Sequence, residues 1–163
     1  MEFDTLIFLA IFGFIASFID AAAGGGGLIS IPALMWTGLP PVTVLGTNKV
    51  AASMGAVASF LTFIRAGKID ISLMKILCPL SFIGSLAGVL MVQLISPEFL
   101  RPLIIVMLIL VFVYTLLKKN WGKDAKPQKI NGKKLVLCIL LAFVMGFYDG
   151  FFGPGTGSFI LFA

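Results

Sequence analysis

Phe18-Ile19-Asp20-Ala21-Ala22-Ala23-Gly24-Gly25-Gly26-Gly27-Leu28-Ile29-Ser30-Ile31-Pro32 lies in the middle of an apolar stretch that runs over residues 5–38. A helix that crosses a bilayer takes about 20 apolar residues, so the stretch is too long for one ordinary span. It is also interrupted. Each glycine lowers helix stability by about 1 kcal/mol relative to alanine, and Gly24, Gly25, Gly26 and Gly27 in succession, with Pro32 behind them, should end a helix. Each half is then short for a full crossing, which predicts a broken span or two half-helices meeting at membrane depth. Irregular backbone survives there only where protein buries it or where it lines a cavity.

Outward from this stretch the pattern is simpler. Residues 42–64, 71–95 and 99–117 are each long and apolar enough for one span. A turn with Arg65, Gly67, Lys68 and Asp70 separates the first two, and Ser96, Pro97 and Glu98 separate the second and third. Residues 118–134 are polar and hold seven lysines, after which apolar sequence resumes at Leu135. The whole chain is 60% hydrophobic and 12% charged, whereas soluble domains are about a quarter charged. The expected fold class is therefore all-α, a polytopic integral membrane protein. Residues 1–117 form a first transmembrane repeat, 118–134 a cytoplasmic lysine-rich loop and 135–163 the start of a second repeat.

The net charge of +5 matters through its placement. Lysines beside a span mark its cytoplasmic side, and no soluble domain surrounds them, so no nucleic-acid partner is expected. Counting back two spans puts the Arg65 to Asp70 turn inside as well, where Arg65, Lys68 and Lys75 agree with it. Glu2 and Asp4 replace the basic start of a cleavable signal. The side of the N-terminus depends on whether the first broken segment crosses once or doubles back. These two acidic residues favour an outside N-terminus and hence doubling back. With no histidine, imidazole acid–base catalysis is excluded and most transition-metal sites lose their usual ligand. No metal, cofactor or enzymatic activity is expected. Cys78 and Cys138 fall inside apolar runs and read as packing residues.

The signature recurs. Phe18, Asp20, Gly24 and Gly26 match Phe147, Asp149, Gly153 and Gly155 at an offset of 149 − 20 = 129 residues. Duplicated broken helices in a membrane protein point to a transport site at the repeat interface. If the first segment doubles back, the two repeats are inverted. The sequence stops at Ala163, shortly after the second signature, so a fragment is expected, with completion by a missing second half or a homo-oligomer.

Three ionisable residues lie well inside apolar segments: Asp20, Lys49 and Asp149. A charge at bilayer depth costs about 3 kcal/mol on insertion scales, so such residues face a pathway or a partner. Lys49 either snorkels to the interface or binds an anion, with Thr47 and Asn48 adding neutral donors. Asp20 and Asp149 could pair with Lys49, cap the half-helices or carry protons. Helix N-termini bind anions through backbone N–H groups, so Gly24, Gly25, Gly26 and Gly27, and Gly153, Gly155, Thr156 and Gly157, are candidate substrate contacts. Gly84 and Gly88, and Ala52, Ala56 and Ser59, read as helix-packing faces; Trp36, Trp121 and Tyr114 read as membrane-interface residues.

These motifs, Phe18 through Pro32, Leu45-Gly46-Thr47-Asn48-Lys49, and Gly146-Phe147-Tyr148-Asp149-Gly150-Phe151-Phe152-Gly153-Pro154-Gly155-Thr156-Gly157, resemble those of the TauE/SafE-type sulfite exporter (TSUP) family. The resemblance implies a duplicated helical carrier that exports small anions such as sulfite or organosulfonates across the cytoplasmic (inner) membrane. A passive anion channel and a non-transporting membrane subunit are the alternatives.

Overall fold

The computed structural model describes residues 3–117 and 132–162, all helix and connecting turn, with no strand among them. Seven helices follow in order: α1 (Phe3–Ala23), α2 (Gly27–Trp36), α3 (Pro41–Arg65), α4 (Ile71–Gln93), α5 (Pro97–Leu117), α6 (Gly132–Phe151) and α7 (Thr156–Phe162). Most of the lysine-rich loop, with Trp121, lies outside the described residues. Four of the helices, α1, α3, α4 and α5, are long and apolar enough to cross a membrane.

The first segment differs from expectation in one respect. α1 has 21 residues and at 1.5 Å per residue is about 32 Å long, a full crossing rather than half of one. Asp20 sits inside it, one turn before its end, and does not interrupt it. The break itself is only residues 24–26, and the 10-residue α2 is the half-helix. The ring of Trp36, the last residue of α2, lies 4.7 Å from that of Phe8 near the start of α1. α2 therefore folds back along α1.

Local chemistry explains the other boundaries. Pro41 opens α3 where its missing N–H is not needed. Asp70 caps α4, its Oδ1 accepting from the amides of Ser72 at 2.9 Å and Leu73 at 3.2 Å. Pro97 and Glu98 belong to the first turn of α5 and not to the turn before it. Gly67 turns the chain after α3 with φ of +63°.

α4 and α6 pack most closely, and they run parallel. A Cβ at Gly84 or Gly88 would strike the carbonyls of Phe143 or Phe147, and one at Gly146 or Gly150 those of Ser81 or Ser85. Small residues four apart on both helices thus bring the backbones into contact, as in close transmembrane pairs. The buried core is small: Ile31, Val44, Leu45, Val92, Leu100, Ile104, Val111 and Phe152. Many large apolar side chains point outward, among them Phe14, Phe63, Phe82, Leu110 and Phe112. For a helix in lipid this is the ordinary arrangement, because the hydrocarbon solvates them.

Two packing expectations change. Ala52, Ala56 and Ser59 are exposed, as is every residue of α3 from Val50 onward, and they line an open groove that α1 also lines. Tyr114 sits with its ring 5.0 Å from that of Phe159 and packs inward against α7.

Candidate functional site

Both breaks lie on one groove of about 880 Å³, walled by the small-residue faces of α1 and α3. Its polar lining contains Asp20, Ser30, Asn48, Lys49, Asp149 and Thr156, and the backbones of Gly24, Gly26, Gly27, Gly153, Gly155 and Gly157. Of the candidate contacts, Gly25 and Thr47 do not line it. Gly25 is buried, and Thr47 is exposed on another face of α3.

The first break begins where α1 ends. Gly24 has φ of +68°, a left-handed conformation in which glycine replaces a strained side chain, and its N–H donates to Asp20 O at 2.8 Å. The chain then swings back so that the Asp20 carboxylate accepts from the Gly26 amide at 2.9 Å. A carboxylate at a helix N-terminus satisfies a free donor and opposes the positive end of the dipole. Asp20 is therefore the cap of α2. Gly26 has no alternative residue here, since a Cβ would stand 2.5 Å from Ala16 O and 2.6 Å from Asp20 Cβ.

The second break has the same left-handed glycine, Gly153 at φ +94°, but other fastenings. The Tyr148 hydroxyl donates to Pro154 O at 2.8 Å and the Thr156 hydroxyl to Gly153 O at 2.6 Å. The breaks touch: Gly27 packs on the Pro154 ring and Gly157 on the Gly24 backbone.

Lys49 lies eight residues after Pro41, the first residue of α3, about 12 Å along the helix. That puts it well in from the helix end, at the level of the breaks. Its Nζ pairs with Asp149 Oδ2 at 2.8 Å, with the side chains 28% and 44% exposed to the groove. The ammonium also rests on bare backbone, because a Cβ at Gly153 would be 2.5 Å from Nζ. One residue sequence reasoning overlooked is Ser30, whose hydroxyl donates to Asn48 Oδ1 and links α2 to α3 beside the ammonium. Its position one turn after Gly26 was the available signal.

Spanning helices, a half-helix and a shared polar groove define a multi-pass helical membrane protein. The family model for the sulfite exporter TauE/SafE matches residues 9–163, and the chain belongs to this family of membrane transporters. A probable membrane transporter protein of Haemophilus influenzae is 40% identical over 160 residues, covering 98% of this chain and 62% of that protein. The probable membrane transporter YfcA of Escherichia coli K12 is 38% identical, covering 91% of this chain and 55% of that protein. Sulfite exporter TauE/SafE family protein 6 of Arabidopsis thaliana is 26% identical over 74% of this chain and 29% of its own length. The chain thus spans roughly three fifths of the bacterial relatives named here. No solved structure matches it.

Proposed function

We propose that the chain forms the substrate-binding part of a secondary transporter that exports a small sulfur-containing anion, sulfite or an organosulfonate, across the cytoplasmic membrane. The observation that carries this reading is the placement of Lys49: an ammonium at the level of two helix breaks, open to a groove between apolar helices. Such a charge is expensive in the membrane and marks a pathway. Asn48 beside it, oriented by Ser30, supplies a neutral donor, and the backbones of Gly24, Gly26, Gly27, Gly153, Gly155 and Gly157 allow a small oxyanion close approach. A small oxyanion such as sulfite, from which the TauE/SafE exporter family takes its name, suits an ammonium flanked by neutral donors.

The two break-containing units are read as inverted repeats. Support comes from counting the helices. α2 folds back on α1, so α3 starts on the side where α1 starts; α4 and α5 then reverse in turn, and α6 runs parallel to α4, opposite to α1. A site at the junction of oppositely directed units is the arrangement on which alternating access is built.

The test is flux of sulfite or sulfoacetate in liposomes reconstituted with the protein. Saturable flux that Lys49→Ala abolishes supports the reading. Flux unchanged by that substitution removes Lys49 from the pathway, and single-channel currents in place of saturable flux identify a channel.

A further inference from the structure

Among the described residues, the groove is lined by three titratable side chains, Asp20, Lys49 and Asp149, and its one ammonium already has an anion on it. The geometry points to Asp149 as a tethered internal anion: it occupies the binding position on Lys49 in the empty site, and the substrate's oxyanion must displace it. This inference rests on the transport reading above and adds a gate to the same site.

Two observations single out Asp149 and not Asp20. Asp20 is held by a backbone amide on its own hairpin, the Gly26 N–H, and leaving it would uncap α2. Among the described residues Asp149 is held only across the groove by a flexible lysine, and its own break stands without it, through Tyr148 and Thr156. A pair this exposed is weak, so a competing oxyanion can replace the carboxylate. Lys49 loses no partner in the exchange, since its ammonium donates equally to a carboxylate or to a substrate oxyanion.

Charge counting then gives the sign of the effect. The lining carries −2 from Asp20 and Asp149 and +1 from Lys49, a sum of −1. A monovalent anion makes it −2, so the displaced carboxylate and the bound anion repel each other near one ammonium. Removing the Asp149 charge therefore strengthens binding. The neighbouring elements offer no rival group inside the groove. α2 and α7 contain no ionisable residue, and α5 has Glu98 and Arg101 at its start and Tyr114 packed on Phe159. α4 has Lys75 in its first turns and Cys78, α1 has Asp4 at its far end, and Tyr148 and Cys138 on α6 do not line the groove.

The experiment is calorimetric titration of methanesulfonate into the purified protein in nanodiscs at neutral pH. Wild type should bind, and Lys49→Ala should not. Asp149→Asn should bind about two- to fivefold more tightly than wild type. Asp20→Asn removes the same charge without touching Lys49, and should change affinity less. Asp149→Ser gives the same comparison where the amide does not fold. Weaker or unchanged binding in both Asp149 variants, or an equal gain in Asp20→Asn, overturns the gate while Lys49-dependent binding keeps the transport reading. Absence of binding in wild type and in both Asp149 variants overturns both.

Discussion

At the first break, Asp20 reaches forward to the amide of Gly26; at the second, Asp149 reaches across the groove to Lys49. The two aspartates occupy matched positions, and the glycine four residues later is left-handed in both, at +68° and +94°. The divergence starts at the next positions. Gly25 corresponds to Pro154, and Gly26, at φ −56°, corresponds to Gly155 at +79°. Proline has no N–H and a fixed φ, so the second chain leaves its bend along a different path. Tyr148, where the first copy has Ile19, supplies a hydroxyl that pins the new path through Pro154 O. Relieved of capping, Asp149 is available to a partner elsewhere. A shared motif fixes the bend, and the residues around it decide what the carboxylate does.

The comparison breaks most readily at Gly26. Gly26→Ala drives a Cβ against the Ala16 carbonyl and the Asp20 side chain, neither of which can yield without moving α2 off α1. We expect a loss of about 3 kcal/mol, read as a lower midpoint for unfolding in detergent. A midpoint equal to wild type would show that the hairpin is not packed as described.

Asp20→Ala comes next. It leaves the Gly26 amide and the start of α2 without their carboxylate, and about 1 kcal/mol should be lost. Asp149→Ala should change stability by less, about 0.5 kcal/mol, because it releases only a half-exposed ion pair. Equal losses from the two variants would mean that both aspartates serve the fold in the same way, and the contrast would fail. Tyr148→Phe tests the other side. Removing the hydroxyl that Pro154 O accepts from should lose about 1 kcal/mol, whereas no side-chain bond is available to lose at Ile19.

Much of this was legible beforehand, for identifiable reasons. Long apolar runs fix α3, α4 and α5 to within two or three residues, because hydrocarbon thickness sets their length. Four glycines mark the first break, and the aspartate repeated 129 residues later marks the second. What could not be read was how far α1 continues. Ala21, Ala22 and Ala23 are strong helix formers, and they carry α1 through Asp20 to a full crossing. Nor does spacing tell which aspartate meets Lys49, since that depends on tertiary approach across 100 residues of sequence, 149 − 49. Thr47 shows the same limit: it is two residues from Lys49, and α-helical neighbours at that spacing face different ways.

The smallest effect is expected at Gly25, and it sharpens the comparison most. In a run of four glycines all could be required, or only those that turn the chain or touch backbone. Gly25 is not left-handed, and a Cβ on it would meet only Leu28 Cδ1 at 3.7 Å, an ordinary contact. Its counterpart in the second break is Pro154, a residue with a side chain and a restricted backbone. Gly25→Ala should therefore leave stability within about 0.5 kcal/mol of wild type, or raise it slightly by restricting the unfolded chain. Both breaks would then depend on one bending glycine, with the neighbouring position open to variation. A loss above about 1 kcal/mol in the same unfolding assay would mean that the first break needs the full freedom of its glycine run, and that Pro154 works only because the second bend follows a different path.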